Sequence, residues 1–510
     1  MLRSTCLRHS NRFVHRRWAS TQAKPALYAG KTRSWEAIVG LEVHAQINSY
    51  SKLFSVTPTS FNEPVNTKYS AFDAAFPGTL PWVNEECVSL AVKTVLALSG
   101  QVQKLSSFER KHYFYPDIPA GYQITQHSNP IGLGGCIELG DLDGLPYPLK
   151  IRLEQVQLEQ DTGKSTHDIQ PGASLIDLNR AGTGLMEIVT LPDMRSSLEA
   201  GLMVRKLQAL LRAVGSSDGN MEEGSMRCDV NVSIHEPGTP YGTRCELKNL
   251  GSVKVLMSAI DAEVQRQIEV LESGGQILQE TRGYDAVQNQ TFKLRSKETA
   301  PDYRYMPEPD LPIIRLTDQY IEEALQHMPE LPDTRRARLI DTYKLSLESC
   351  NTLMAEPGIV EYFEEICKEH DPHKTLSWIT SELFGLLSFK GISFGENPVS
   401  HGQLGSIIGG IEKGLISGKI GKSVLNVMME GDSRNALEIA KAKGWQQIDD
   451  ESALEKLCLD LIQSNPGELQ KVQQGNKRVF GWFVGQIMKE TKGKANPALV
   501  NSILKRHLGL

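Results

Sequence analysis

The sequence predicts an α+β fold in the first part of the chain and an all-α arrangement after it. Short alternating apolar and polar runs, separated by Gly and Pro, extend from residue 34 to residue 312. Such runs are typical of half-buried strands in an antiparallel sheet. After the proline-rich stretch Tyr305–Pro312, apolar residues recur at helical spacing. We therefore expect an antiparallel sheet with inserted helices, followed by helices alone.

The most regular segments can be assigned individually. The expected strands are Ile38–Ile47, Leu185–Val189 and Arg227–Ile234, and the expected inserted helices are Glu86–Leu98 and Leu198–Val214. Beyond the sheet region, further helices are expected at Ile321–His327, Thr334–Tyr343, Ile359–Lys368 and Leu376–Leu387. The Gly-rich residues Gly391–Gly410 then indicate a hinge before a last, mainly helical unit.

The first 35 residues differ in charge from the rest of the chain. The whole sequence has 510 residues and a net charge of −6, but residues 1–35 contain eight basic residues and no acidic one. An arginine-rich, acid-free start without an apolar core is typical of a mitochondrial transit peptide, and a disordered basic tail is the alternative. We expect residues 1–35 to be a transit peptide and linker, and the protein to lie in the mitochondrial matrix. Eight cysteines without a C-x-x-C pair fit such a reducing compartment.

The carboxyl-terminal end is basic as well. From residue 471 onward there are eight basic residues and a single acid, with aromatic residues among them. Neutralised phosphates supply most non-specific affinity for nucleic acid, so Lys489, Lys492 and Lys494 are candidates for contact with a phosphate backbone. A solvated helical face is the alternative. No apolar run approaches the ~20 residues of a membrane span, so no membrane insertion is expected.

Carboxylates and one imidazole recur on the faces of expected strands. Glu42 and His44 point to the same side of one strand. Glu159 and Asp161 likewise share a face further along the chain. Glu187 has apolar neighbours on both faces of its strand, and burial of a carboxylate is costly unless it is paired, protonated or metal-bound. Carboxylates with one imidazole form an oxygen-rich set that suits Mg²⁺ or Mn²⁺ better than Zn²⁺.

Two other expected strands carry charge on one face. Arg227 and Asp229 alternate in the first, and Arg244 and Lys248 alternate in the second. These four side chains are candidates for contact with ATP or with a substrate carboxylate, although a half-exposed sheet shows the same alternation. No loop of the form G-x-x-x-x-G-K-[ST] is present, so a nucleotide would have to be held in another way.

Several long segments resemble, in order, the B-subunit family of aspartyl/glutamyl-tRNA amidotransferases, the GatB family. The segments are Gly40–Gln46, Arg110–Pro119, Leu158–His167, Leu175–Pro192, Met221–Val230, Arg244–Leu250, Asp302–Pro312 and Val484–Val500. The resemblance covers the chain from residue 36 to the carboxyl terminus. Because the start is similar to a transit peptide, a mitochondrial member of the family is expected.

The resemblance implies a domain organisation. The family's first domain is similar to the fold of glutamine synthetase and guanido kinases, so a catalytic antiparallel-sheet domain is expected at residues 36–312. A helical domain is expected at 313–400 and a helical tRNA-binding tail domain at 401–510.

The resemblance also implies an activity and partners. ATP would phosphorylate the side-chain carboxylate of Glu on misacylated Glu-tRNA(Gln), and ammonia would then displace phosphate to give Gln-tRNA(Gln). The ammonia would come from an amidase (A) subunit, and a small third subunit, of the C type or a fungal equivalent, would complete the enzyme. Whether Asp-tRNA(Asn) is also a substrate stays open.

Single residues carry over from the family as well. Lys111 falls on a position associated with the ammonia path, and Ala120 stands where bacterial members often have Lys, so a charged gate is expected to differ. Glu159 and Glu187 are expected to be catalytic with Lys111, and ATP to be the co-substrate. The implied ligands of Mg²⁺ or Mn²⁺ are Glu42, His44, Glu159 and Glu187.

Three alternatives stay open. In the first, Glu187 has only a structural role and pairs with Arg180 or Arg227. In the second, the protein is a non-enzymatic tRNA-binding scaffold, and the acidic residues hold no metal. In the third, the protein is a free-standing ligase, similar to glutamine synthetase, that acts on a small acid.

Overall fold

The computed structural model describes residues 27–166, 173–296, 302–445, 451–473, 477–491, 495 and 497–508. The chain divides into two units, one ending at Pro332 and one beginning at Asp333. A large sheet with helices in the first unit and helices in the second confirm the α+β class. The expected domain boundaries at 35, 312 and 400 stay predictions. Most of the expected transit peptide lies outside the described residues.

Eighteen strands are present in the described part of the first unit. They are β1 (Tyr28–Ala29), β2 (Ser34–Gln46), β3 (Gln101–Val102), β4 (Leu105–Ser106), β5 (Glu109–His112), β6 (Tyr122–Thr125), β7 (Gly132–Leu133), β8 (Cys136–Leu139), β9 (Leu149–Gln160), β10 (Lys164–Thr166), β11 (Leu175–Asp177), β12 (Gly184–Thr190), β13 (Met226–His235), β14 (Cys245–Leu247), β15 (Glu280–Asp285), β16 (Gln290–Ser296), β17 (Met306–Pro307) and β18 (Ile314–Arg315).

The α-helices of the described residues extend through both units. They are α1 (Glu85–Ala97), α2 (Ser197–Val214), α3 (Val253–Glu272), α4 (Asp318–Gln326), α5 (Pro332–Tyr343), α6 (Leu347–Leu353), α7 (Ile359–Cys367), α8 (Pro372–Ser377), α9 (Phe384–Lys390), α10 (His401–Glu412), α11 (Gly418–Met429), α12 (Ala436–Ala442), α13 (Glu451–Ser464), α14 (Pro466–Gln473), α15 (Lys477–Glu490) and α16 (Pro497–Leu508). None of them is long and apolar enough to cross a membrane.

The main sheet has eleven strands and is almost entirely antiparallel. Its order is β16-β15-β14-β13-β2-β12-β9-β7-β3, with β1 paired to β2 and β8 paired to β9. Only β14 and β15 pair in parallel among these strands. The strands and inserted helices expected from the sequence are confirmed by β2, β12, β13, α1 and α2. The three strands with the clearest alternation are adjacent at the centre of the sheet.

The alternation of these central strands separates an apolar face from a polar one. Val43, Leu158, Met186 and Val230 are fully buried in the apolar core. Helices α1 and α3 contact this sheet, and α2 packs on both of them. Burying each large apolar side chain contributes about 1.5–3 kcal/mol, which fixes the register of the strands. The opposite face of these strands therefore carries the charged residues.

The register aligns one row of polar residues across four strands. His44 of β2 lies opposite Glu187 of β12 on one side and opposite Arg227 of β13 on the other. Glu187 in turn lies opposite Gln157 of β9. Since opposite residues in a sheet have their Cβ atoms ≈ 4.5–5.5 Å apart, these side chains are neighbours on the polar face.

The second unit has two apolar cores in its described residues, one from Leu339 to Ala440 and one from Leu454 to Leu508. The expectation of a hinge was wrong for residues 401–410, because they lie in α10. Gly405 and Gly409 of this helix lie against the imidazole of His370, and a Cβ at Gly409 would come within 2.8 Å of the ring. These glycines allow close packing of a helix against a side chain.

Candidate active site

Glu42, His44 and Glu187 form a compact cluster on the polar face of the sheet. Each offers one ligand atom, and these atoms lie within 4.8 Å of one another. His44 Nε2 is 3.7 Å from Glu42 Oε1 and 3.8 Å from Glu187 Oε2. The cluster forms because Glu42 and His44 alternate along β2 and β12 pairs with that strand.

Glu159 lies beside this cluster on β9. It is opposite Leu185, two residues along β12 from Glu187. Its side chain is buried, and its Oε1 accepts a hydrogen bond of 2.7 Å from Gln123 Nε2. Its Oε2 is buried without a hydrogen-bond partner, with Lys111 Nζ 3.6 Å away. One carboxylate oxygen of Glu159 is therefore left for a further ligand.

Lys111 extends from β5 toward these carboxylates. Its Nζ lies 5.1 Å from the centre of the Tyr303 ring. Burial opposes the charge of Lys111, but Glu159 and Glu187 outweigh burial and raise its pKa. Within the described part of the chain, Lys111 is the only Lys or Arg side chain at ion-pair distance from Glu42, Glu159 or Glu187.

The electrostatics of the cluster favour a bound cation. Burial, followed by the charges of Glu159 and Glu42, raises the pKa of Glu187 well above its ordinary value. Burial and then the neighbouring Asp229 raise the pKa of Glu42. Burial and nearby cations lower the pKa of His44 to about 3, which leaves the imidazole neutral. A neutral imidazole and crowded carboxylates are a donor set that fits Mg²⁺ or Mn²⁺.

Arg227 and Arg180 are not partners of Glu187. Arg227 Nη2 donates to Asp161 Oδ1 at 2.9 Å, and Arg180 Nε lies 3.6 Å from Asp161 Oδ2. Burial opposes ionisation of Asp161, but Arg227 and then Arg180 outweigh burial and lower its pKa. The pairing of Glu187 with Arg180 or Arg227 was therefore a wrong expectation, and Arg227 is fixed beside His44 in the same row of the sheet.

The other two charged candidates differ in position. Lys248 Nζ contacts Asp229 Oδ2 and lies 3.2 Å from Glu246 Oε1. Asp229 is opposite Glu42 in the register, so this pair adjoins the cluster. Arg244 is exposed and precedes β14 by one residue, farther from the cluster than Glu246. The structure thus brings Asp229 and Lys248 to the cluster but not Arg244.

Two buried glutamines were missed in the sequence. Gln157 Nε2 donates to Glu187 Oε2 at 2.6 Å, and Gln123 donates to Glu159 as described above. Gln157 shares a strand face with Glu159, so the alternation of residues along the strand could have identified it. Gln123 lies on β6, and no local pattern indicates that this strand approaches Glu159. A cavity of about 240 Å³ adjoins the site and is lined by Gln123, Asp161 and Ala120 among others.

The lysines expected to contact tRNA lie in the second unit. Lys489 is exposed in the last turn of α15. Trp482, on the same helix, is 40% exposed. Lys492 and Lys494 lie outside the described residues.

Comparison with known proteins identifies the family. Residues 37–322 match the GatB/GatE catalytic domain, and residues 361–508 match the GatB domain. The chain belongs to the GatB family. The resemblance seen in the sequence is thereby confirmed, and the candidate cluster lies within the part that matches the GatB/GatE catalytic domain.

Curated GatB relatives are similar to the chain over almost its whole length. The B subunit of aspartyl/glutamyl-tRNA(Asn/Gln) amidotransferase from Azorhizobium caulinodans is 46% identical over 492 residues, which cover 96% of this chain and 99% of the relative. The protein of the same name from Methylobacterium sp. (strain 4-46) is 45% identical over 484 residues, 95% of this chain and 98% of the relative. That of Rhizobium meliloti (strain 1021) is 45% identical over 484 residues, 94% and 96% of the two chains.

Proposed function

We propose that the chain is the B subunit of a glutamyl-tRNA(Gln) amidotransferase and carries the site that activates and amidates the tRNA-bound Glu. The observation that supports this most is the cluster of Glu42, His44 and Glu187 on the polar sheet face, with Glu159 beside it, in a chain of the GatB family. The finer fold is proposed to be that of glutamine synthetase and guanido kinases, which hold metal-bound nucleotide on a sheet.

The proposed reaction has two steps. An oxygen of the substrate's side-chain carboxylate attacks the γ-phosphorus of ATP, and the bond to ADP breaks. The nitrogen of ammonia then attacks the acyl carbon, phosphate leaves, and the nitrogen loses a proton to give the amide. Activation is needed because a carboxylate has no usable leaving group at neutral pH.

The residues of this site have separate roles in the proposal. Glu42, His44, Glu159 and Glu187 would hold Mg²⁺ or Mn²⁺, which neutralises phosphate charge during transfer. Arg227, fixed by Asp161, and Lys248 lie beside the cluster and would bind phosphate or substrate carboxylate. Lys111 would orient the incoming ammonia or the carboxylate next to Glu159. The cavity lined by Ala120 and Gln123 would admit the ammonia.

The proposal includes partners and a location. An amidase subunit would supply ammonia, and a small third subunit would join the assembly. The basic end of the second unit, with exposed Lys489, would bind the phosphate backbone of tRNA(Gln). The acid-free start would direct the protein to the mitochondrial matrix, where the product would serve translation.

The proposal is tested with the assembled enzyme. The chain is co-purified with its amidase partner and assayed for Gln-tRNA(Gln) formation with glutamine, ATP, Mg²⁺ and Glu-tRNA(Gln). Glu159→Gln should abolish ATP-dependent amidation, while glutaminase activity of the partner survives in part. The matched control is Glu138→Gln, because Glu138 is an exposed residue of β8 paired only with Lys150 among the described residues.

Three results would contradict the proposal. Full amidation by Glu159→Gln would remove the metal assignment. Metal-dependent ATP hydrolysis by the assembled enzyme that survives His44→Ala would favour the non-enzymatic scaffold, with the chemistry in another subunit. Amidation of a small acid that persists after deletion of residues 410–510 would favour the free-standing ligase.

A further inference from the structure

We propose that Gln123 and Gln157 are positioning residues whose side-chain amides orient Glu159 and Glu187 for a divalent cation. The inference rests on the metal site of the proposed function and extends it to two uncharged residues. Both glutamines are 4% exposed. Each donates to one oxygen of a different carboxylate, so the two acids are constrained independently.

Gln157 is fixed at both ends of its amide. Its Nε2 donates to Glu187 Oε2 at 2.6 Å and lies 3.3 Å from Thr125 Oγ1. Its Oε1 accepts a hydrogen bond from Gln155. Because the acceptor end is occupied by a donor, the NH₂ end must face Glu187. The cross-strand register holds Gln157 directly opposite that residue.

Gln123 is fixed in the same way from another strand. Its Oε1 accepts from the hydroxyl of Tyr113 at 3.0 Å. Its Nε2 donates to Glu159 Oε1 at 2.7 Å and to the carbonyl oxygen of Gln160 at 2.6 Å. The bond to Oε1 leaves Oε2 of Glu159 buried and without a hydrogen-bond partner. A buried carboxylate oxygen is costly in that state; Lys111 Nζ lies 3.6 Å away, and a cation bound beside this oxygen would satisfy it.

An amide suits this role better than a charged group. A lysine or arginine in place of Gln123 or Gln157 would neutralise the carboxylate and compete with the cation. An amide satisfies one oxygen and leaves the negative charge available. Loss of such partners of metal ligands typically costs 10–100-fold in metal affinity. We therefore expect each glutamine to contribute about tenfold or more to metal affinity.

Binding of Mn²⁺ to the full chain, without ATP or tRNA, tests the inference. The free ion is measured by its electron paramagnetic resonance signal for Gln123→Met and Gln157→Met, which keep side-chain length but lose the donor. The control is Gln126→Met, because Gln126 is fully buried and bonds only to Ser106 Oγ and to the backbone N–H groups of Ile131 and Leu158 among the described residues.

Both test variants should bind Mn²⁺ about tenfold or more weakly, while the control changes thermal stability but not affinity. Unchanged affinity in both, or equal weakening in Gln126→Met, would overturn the inference. Should the buried substitutions prevent folding, Tyr113→Phe tests whether the orientation of Gln123 affects Mn²⁺ binding. It removes only the hydroxyl that fixes Gln123, and it must still weaken Mn²⁺ binding. If the parent chain itself binds no Mn²⁺, the metal site of the proposed function fails instead.

Discussion

Two of the buried glutamates in the first unit, Glu263 and Glu187, lie in networks that differ in whether their charge is matched. Glu263 of α3 is fully buried. Its two oxygens accept hydrogen bonds from Arg266, Gln267 and Thr291, and Arg282 Nε lies 3.3 Å away. Burial opposes ionisation of Glu263, but these partners, Arg266 first, outweigh burial and lower its pKa.

The cluster around Glu187 has the opposite balance. Glu42 and Glu187 flank a neutral His44, Glu159 lies beside them, and Lys111 is the cation at ion-pair distance among the described residues. Burial of a carboxylate therefore does not by itself indicate function. Unmatched charge and an oxygen without a partner do so, because folding alone would not maintain them.

The largest expected effect separates activity from stability. Glu187→Gln should reduce amidation by the assembled enzyme at least on the order of a thousandfold, since lost stabilisation of phosphate charge amounts to several kcal/mol. The same change should leave the metal-free chain as stable as the parent or more stable, because it removes a crowded charge. Initial rates and urea denaturation of the full chain measure the two quantities. Parallel loss of both would place Glu187 with Glu263 as a structural residue.

The next largest effect is expected at Glu263, where the substitution should lower stability and leave metal binding unchanged. Glu263→Gln should lower the free energy of unfolding by roughly 3–5 kcal/mol, because Arg266 and Arg282 lose their buried counter-ion. Mn²⁺ affinity of the folded protein should not change. Glu269→Gln, at an exposed position of the same helix, is the control and should be nearly neutral. If the Glu263→Gln variant stays fully stable, the charge network of Glu263 does not stabilise the fold.

The pH dependence of stability should have opposite signs in the two networks. The ordinary pKa of both acids is 4.5, and it is raised at Glu187 and lowered at Glu263 in the folded chain. Glu187 therefore removes stability as the pH rises above about 4.5 toward its folded pKa, whereas Glu263 loses its contribution as the pH falls below about 4.5.

Urea denaturation of the metal-free chain between pH 3 and 8 checks these signs. In Glu187→Gln, the free energy of unfolding should fall less steeply as the pH rises. The difference in slope from the parent should not exceed about 1.4 kcal/mol per pH unit, the limit for one proton. The Glu263→Gln variant should lose less stability than the parent on acidification. The same slope in the parent and in the Glu187 variant would contradict the prediction.

The sequence predicted the fold class, the central strands and the acidic residues around Glu187, but not the network around Glu263. Alternation placed Glu42 and His44 on one face, and the apolar neighbours of Glu187 indicated a buried acid. The pairing of β12 with β2, which joins them, depends on long-range contacts that no local pattern carries. Glu263 was not found, because a glutamate within an amphipathic helix gives no sign that Arg282 of β15 and Thr291 of β16 pack against it.

The smallest expected effect concerns Asp161, which shares features with both networks. Asp161 is matched in charge like Glu263, but its partners Arg227 and Arg180 are 34% and 35% exposed and adjoin the cluster. Asp161→Asn should therefore cost only about 1–2 kcal/mol of stability, discounted from a buried pair because water can solvate both guanidinium groups. The main consequence of Asp161→Asn should be that Arg227 is no longer held in position. KM for ATP should then rise several-fold, with a smaller change in kcat. A stability loss equal to that of Glu263→Gln, with unchanged KM, would assign Asp161 to the structural network and remove Arg227 from the proposed phosphate contacts.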